Sequence, residues 1–312
     1  MWGRGYTEAN GANHSDEAIE AGLNFEEQWQ TALNKDVKYT FVTGWNEWVA
    51  IKSAAALGNN YDYPECRGKR AYFVDTVNKE YSRDIEMMKG GYADNYYLQL
   101  TRNIRALKGK TGTLSGSGTG VIDIAKGMAQ WNAVSDVYYD FTSEINRDYK
   151  GFVETIHYKD DSLVNDIAEI RVTHDDENIY VLVACAAPIA ADPESGNWMN
   201  LLIDVDGQEN DSFYGYDYII NRQSSYTGQC SVEQFGKEGS NVKYDLKGIA
   251  NFTLNGNYMQ FRIPKSALDI TGAFTLRFKV ADHVTNPLDM ESYYTTGDVA
   301  PVGRLNYIFS GK

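Results

Sequence analysis

Hydrophobic positions change their period once along this chain. In "SDEAIEAGLNFEEQWQTALNKD", Ile19, Leu23, Trp29 and Leu33 recur on a roughly helical spacing behind Ser15, with acids in the first turn. That pattern predicts one or two helices capped by Ser15. "DVKYTFVTGW" follows as a strand, β-rich from Tyr39 to Thr43. "DNYYLQLTRNIRALKGK" predicts another helix, with Tyr97, Leu100, Ile104 and Leu107 along one face. Helix, strand, long loop and helix is the grammar of an α/β protein whose active-site loops follow its strands. The Gly/Ser/Thr-rich run "KGKTGTLSGSGTGVID" then marks a linker. The expected division is 1–110, a linker over 111–120, and 121–312.

Past the linker the period is two. "DIAEIRVTHDDENIYVLVACAAP" predicts two strands around a polar turn from His174 to Asn178. "NWMNLLIDVDG", "GYDYIINR", "QCSVEQF", "NFTLNGNYMQFRIP" and "AFTLRFKVAD" extend the series, with Asn255-Gly256 as a hairpin signal. In "YMQFRI", Met259, Phe261 and Ile263 point one way, and Gln260 and Arg262 the other. Many short strands with turns between them predict an antiparallel β-sandwich. The fold class expected is therefore α/β plus all-β: an incomplete (β/α)8-barrel C-terminal segment followed by the sandwich.

Composition narrows the function. Among 312 residues, 43% are hydrophobic and 23% charged, as in a globular protein. Asp plus Glu number 43 against 29 Lys plus Arg, a net charge of -14 that repels phosphate backbones and excludes nucleic acid as a partner. No apolar run approaches the ~20 residues a membrane-spanning helix needs, so no membrane insertion is expected. "MWGRGYTEANGANHSDEA" has no basic region before an apolar core, and so no secretory signal. Cys66, Cys185 and Cys230 fit neither a disulfide framework nor a zinc site and predict buried thiols. The 23 tyrosines offer flat faces with polar tips, suited to sugar stacking as well as to packing.

Candidate chemistry begins at "TFVTGWNEWVAIK". Glu47 sits just past the predicted strand, where barrel folds keep their catalytic groups. Trp45 and Trp48 beside it would form a sugar-stacking wall, and Asn46 would bond a hydroxyl. "GWNEW" with "EYSRDIEMMKGGYADNYYLQLTRNIRALKG" resembles the last part of the catalytic barrel in glycoside hydrolase-like proteins related to the family 71 and 99 endo-acting α-glycanases. That resemblance implies an Asn-Glu-Trp-x-Glu-Gly run with two functional glutamates. Glu47 matches the first, while Ala50 and Ile51 stand where the second glutamate and the glycine fall, so the general acid/base is missing. Glycoside hydrolysis needs two carboxyl groups. The next loop offers Asp75, Glu80, Asp84 and Glu86, and Asp75, following "AYFV", is the preferred substitute. Arg83 would clamp a hydroxyl or pair with an acid. A complete barrel takes ~250 residues. The expectation is thus the C-terminal portion of a longer, extracellular or cell-surface protein that needs its missing N-terminal barrel segment.

The second region resembles the family 9 carbohydrate-binding module and its sugar- or haem-binding sandwich relatives. The residues that carry this are "NDIAEIRVTHDDENIYVLVACAAPI", "NWMNLLIDVDG", "YGYDYIINR", "MQFRIPKSAL" and "FTLRFKVAD". The resemblance implies a pair of aromatic rings gripping a sugar, for which Trp198 and Trp131 are the candidates, with Tyr216 and Tyr218 near the first. "IDVDGQEND" gathers Asp204, Asp206 and Asp211 around a glycine turn. Hard oxygen ligands at such spacing make it a candidate calcium loop, and a plain acidic hairpin turn is the other reading. His157, His174 and His283 are scattered, which disfavours haem ligation. Two functions follow: a glycoside hydrolase-like portion acting on or binding polysaccharide or glycan, or a non-catalytic carbohydrate-binding protein that uses the sandwich.

Overall fold

A computed structural model describes residues 3–35, 37–46, 52–54, 71–73, 78–82, 84–88, 92–109, 119–143, 147–150, 157–160, 164–208, 213–239 and 241–312. The chain divides into two compact units, Met1–Gly112 and Thr113–Lys312. No helix among the described residues is long and apolar enough to cross a membrane.

In the first unit, α1 (Asp16–Glu20) starts where Ser15 Oγ accepts the amide of Ala18 at 3.2 Å. This N-cap satisfies one of the four donors that a helix start leaves unpaired. Gly22, at φ 62°, turns the chain into α2 (Leu23–Asn34), and a Cβ there would press on the Tyr96 ring at 3.0 Å. α3 (Asn95–Leu107) buries Tyr96, Gln99 and Asn103 rather than the expected stripe of Tyr97, Leu100, Ile104 and Leu107, which is half-buried. The polar pair can face inward because Glu26 of α2 accepts from both, at 3.0 and 3.1 Å. Ile19, Ile85, Tyr92 and Tyr96 form the core of this unit.

The two described strands here, β1 (Lys52–Ala54) and β2 (Ala71–Phe73), pair antiparallel. A (β/α)8 barrel is built from parallel strands, so the described residues contain no such segment. The strand expected at Tyr39–Thr43 is also absent: residues 37–46 make no ladder, and Tyr39 and Phe41 are 92% and 89% exposed. Alternation in "KYTFV" has the right period for a strand, but without a neighbour to pair with it secures no sheet.

The second unit is mainly antiparallel β. Its strands are β3 (Val137–Tyr139), β4 (Arg147–Lys150), β5 (His157–Asp160), β6 (Ile167–His174), β7 (Asn178–Cys185), β8 (Asn200–Asp204), β9 (Tyr218–Ser224), β10 (Gln229–Glu238), β11 (Asn241–Asn255), β12 (Tyr258–Pro264), β13 (Phe274–Asp282), β14 (Asp298–Ala300) and β15 (Tyr307–Gly311). The short helix α4 (Ser292–Thr295) precedes β14. β4 and β5 pair with each other, and the rest form one sheet in the order β14-β13-β8-β9-β10-β11-β12-β7-β6-β3, with β15 also on β13.

The two ends of this sheet meet. Tyr138 Oη of β3 donates to Ile308 O of β15 at 2.7 Å, Tyr307 Oη donates back to Tyr139 O at 3.0 Å, and Asp298 of β14 accepts the amide of Ile167 at 2.5 Å. Side chains thus bridge edges that no backbone ladder joins, and the architecture is a nearly closed barrel rather than two separate layers. Met259, Phe261 and Ile263 fill its interior as the alternation predicts. The outer face is also covered in places. Residues 122–134 lay Ile122 and Trp131 over Tyr180 and Leu182 of β7, and residues 284–299 lay Val284, Met290, Tyr293 and Val299 over Leu202, Ile219 and Ala281.

Candidate functional site

Of the first unit's expected site residues, Glu47, Trp48, Asp75 and Arg83 lie outside the described residues. Trp45 is half-exposed, its ring edge-on to Tyr97 at 6.0 Å, and Asn46 beside it is exposed. The Trp45 carbonyl accepts the amides of Ile85 and Glu86 at 3.1 and 2.8 Å, so its backbone anchors the loop after β2. Among the substitute acids, Glu80 is held by His14 Nδ1 at 2.7 Å and Asp84 is buried. Arg4 lies over the Tyr92 and Tyr96 rings at 4.5 and 4.0 Å and donates to the Asp84 carbonyl at 2.5 Å.

The aromatic residues expected to grip a sugar are packed inside. Trp131 and Trp198 are 0% and 1% exposed, and Tyr216 and Tyr218 are fully buried too. Trp131 Nε1 donates to Gln260 Oε1 at 2.6 Å, and the Trp198 ring stands edge-on to Phe252 at 5.9 Å. Tyr216 and Tyr218 donate to Asn306 and Asp269 at 2.6 and 2.9 Å, and burial pushes both phenols above the usual range. Stacking requires an open ring face. These four rings are buried and pack the β unit, the core role that the sequence equally allowed for the two tryptophans.

The acid loop is where polar groups converge. Asp211 is outside the described residues; Asp217, just before β9, lies beside Asp204 and Asp206, with one carboxylate oxygen from each within 4.8 Å of the others. The register Ile203↔Tyr218 of the β8–β9 hairpin runs on to set Asp204 opposite Asp217. Asp204 is buried, and its Oδ1 accepts the amides of Asp206 and Gly207 at 3.1 and 2.6 Å. Arg277 Nη1 approaches its Oδ2 at 3.4 Å. Burial raises the Asp204 pKa, against the opposing pull of the Gly207 amide and the Arg277 charge. Gly207, at φ 76°, closes the turn in a conformation that favours glycine.

A cleft of about 520 Å³ opens beside this loop. One wall is Asp204 to Gly207, and the other is Asp269, Ile270 and Thr271, with Phe274 and Arg277 of β13 between them. Asp217, Asp269 and Arg277 were not singled out in the sequence. Asp269 and Arg277 look like ordinary surface charges there, and Asp217 is recognised only once the hairpin register is known. Chemically, the trio could hold a hard divalent cation through carboxylate oxygens, and the cleft offers carboxylates and a guanidinium around an apolar floor.

The second unit is thus a mainly antiparallel, barrel-like β domain with a polar cleft at its strand ends. No family model matches the chain, and no curated protein matches it. Among solved structures, a family 9 carbohydrate-binding module from Caldicellulosiruptor kristjanssonii, in complex with cellotriose, aligns at 15% identity and a TM-score of 0.28, over 55% of this chain and 77% of that one.

Proposed function

We propose that this chain is a non-catalytic carbohydrate-binding protein whose β unit takes a saccharide in the cleft between Asp204–Gly207 and Asp269–Thr275. The observation that carries this reading is the lining: the carboxylates of Asp204, Asp206 and Asp269 together with the apolar side chains of Val205, Ile270 and Phe274. Saccharides present hydroxyl donors at their rims and C–H groups on their faces, and a mixed lining of this kind complements both. The family 9-like strand pattern in the sequence points the same way. Asp204, Asp206 and Asp217 are the residues that would hold a divalent cation such as calcium, which would steady the loop forming one wall.

Hydrolysis is the weaker reading. It rests on Glu47 with Asp75, and the described strands of that unit pair antiparallel instead of supplying parallel barrel strands. Titration calorimetry of the full chain against neutral oligosaccharides, with calcium and with a chelator, tests the proposal. Saturable binding that Asp269→Ala and Arg277→Ala each weaken at least about tenfold supports it. Binding unaffected by either change would move the site elsewhere, and the absence of binding to any saccharide would end it.

A further inference from the structure

The hydrogen-bond inventory of the cleft says what kind of saccharide it takes. From Val205 to Gln208 the backbone amides are used internally. The amide of Val205 goes to Asp217 Oδ2 at 2.7 Å, those of Asp206 and Gly207 go to Asp204 Oδ1, and that of Gln208 goes to Asp206 Oδ1 at 2.8 Å. On the opposite wall, the amide of Ile270 goes to Lys265 O at 3.1 Å, and the Thr275 hydroxyl shares a hydrogen bond with Ser310 at 3.0 Å. The guanidinium of Arg277 faces the Asp204 carboxylate and donates to Gly207 O at 3.2 Å, both through Nη1, which offsets the charge of Asp204 but not those of Asp206 and Asp269.

Acceptors, by contrast, remain. Asp206 Oδ1 takes the Gln208 amide and Asp269 Oδ2 takes the Tyr218 hydroxyl, which leaves the second oxygen of each carboxylate open to a ligand. Both side chains are exposed, and Lys247 lies 4.0 Å from Asp269 as its countercharge among the described residues. A ligand carboxylate or sulfate would bring a like charge beside Asp206, Asp269 and Asp204. A ligand ammonium would bring three donors and the opposite charge.

Resting on the carbohydrate-binding reading, we infer that the cleft is selective for aminated sugars, accepts neutral ones more weakly, and excludes uronic or sulfated ones. Asp206 and Asp269, both lining the cleft, are the specificity-determining residues. An ammonium bonded by one such carboxylate at a rim position should bind about tenfold tighter than its neutral counterpart.

The test is titration calorimetry of the full chain with three oligosaccharides of equal length: a glucosamine oligomer, its N-acetylated form, and a galacturonate oligomer. It is run near pH 5.5, where the amine is charged, and in chelator, so that Asp206 is not engaged with the cation it would share with Asp204 and Asp217. Expected are about tenfold tighter binding of the glucosamine oligomer than of the N-acetylated one, and no binding of the galacturonate. In the doubly changed Asp206→Asn, Asp269→Asn protein the two former ligands should bind alike. Glu238→Gln, an exposed acid on β10, controls for attraction by the net charge and should keep the preference. Equal affinity for the aminated and acetylated oligomers in the unchanged protein overturns the inference and leaves carbohydrate binding standing. So does a preference that survives the double change, or galacturonate binding as tightly as glucosamine. Failure of all three ligands sinks both.

Discussion

Trp131 separates packing from recognition most sharply. Its ring is fully buried against Ile122, Tyr180 and Leu182, and its Nε1 donates to Gln260 Oε1 at 2.6 Å. Gln260 is itself buried, and its amide nitrogen serves the carbonyls of Ile124 and Lys126 at 3.1 and 3.0 Å. The pair therefore fastens residues 122–134 to the outside of β7 and β12. Trp131→Ala removes a large buried ring, at about 3–5 kcal/mol. It also leaves Gln260 Oε1 with only the long 3.4 Å approach of Gln130, which adds about 1 kcal/mol or more. Trp131→Phe keeps most of the volume and should cost about 2 kcal/mol. With a urea slope of about 2 kcal/mol per molar, the alanine variant should unfold about 2 M earlier and the phenylalanine variant about 1 M earlier. Far-UV circular dichroism reads the transition, and calorimetry reads saccharide affinity on the folded fraction. If Trp131→Phe kept its midpoint within about 0.3 M but bound saccharide far more weakly, the ring would be a recognition surface and the packing argument would fail.

Three further outcomes can be checked. Burial alone would raise Glu26, but hydrogen bonds from Gln99, Asn103 and Gln30 and the charge of Arg102 outweigh it and bring its pKa from 4.5 to about 2. The full shift corresponds to ~3.4 kcal/mol, reduced to about 1–2 by the solvent that reaches this half-exposed pair. That stabilisation is present above the unfolded value and lost as the pH falls toward 2, so Glu26→Gln should flatten the acid-unfolding slope, and an unchanged slope would refute the assignment. His283 is raised above 6.5 by its hydrogen bond to Asp282 at 2.6 Å, against its burial, and by the charges of Asp282 and Asp192. Its contribution is complete below 6.5 and lost as the pH rises through the folded value, so amide exchange across 186–197 should quicken on that rise. Asp192→Asn should lower the imidazole titration seen by NMR, and no change would remove Asp192 from the pair. At Gly297, φ is 60° and a Cβ would press into the His283 backbone carbon at 2.6 Å, so Gly297→Ala should cost about 2 kcal/mol or more. A loss under about 0.5 kcal/mol in urea unfolding would contradict this.

Much of the β unit was legible because a period of two is a local property. Met259, Phe261 and Ile263 were assigned inward from the string alone, and Ser15 was readable as a cap from its neighbours. What could not be read was the fate of the other face. Gln260 and Lys279 sit at positions that alternation turns outward, yet both are buried. Gln260 lies beneath residues 122–134, and Lys279 Nζ donates to Pro301 O at 3.0 Å and to Gly303 O under the chain that follows β14. Whether an outward position meets water depends on which distant segment crosses it, and no window of sequence contains that segment. The same blindness left Trp131 and Trp198 readable either as sugar-stacking rings or as core. Asp217 is the converse case, since its partnership with Asp204 needs only the hairpin register, which the paired runs "NLLID" and "DYII" imply.

The covering layers also bear on where a ligand can bind. A barrel whose interior is packed with side chains offers no internal cavity to a sugar. Here residues 122–134 occupy the outer face over β7 and β12, and residues 284–299 occupy it over β8, β9 and β13. The described turns that follow β8 and precede β13 are rich in charge, and charges with water to meet them resist being covered. Asp204 to Gly207 and Asp269 to Thr271 are such loops, and the cleft lies between them. Its acceptor-rich character has the same origin. The carboxylates of Asp204, Asp206 and Asp217 bind the amides of their own turn, which keeps that turn fixed but uses the donors a ligand's acceptors would need. The sequence feature that shapes the wall, aspartates around one glycine, is therefore the feature that sets the sign of what the wall can recognise.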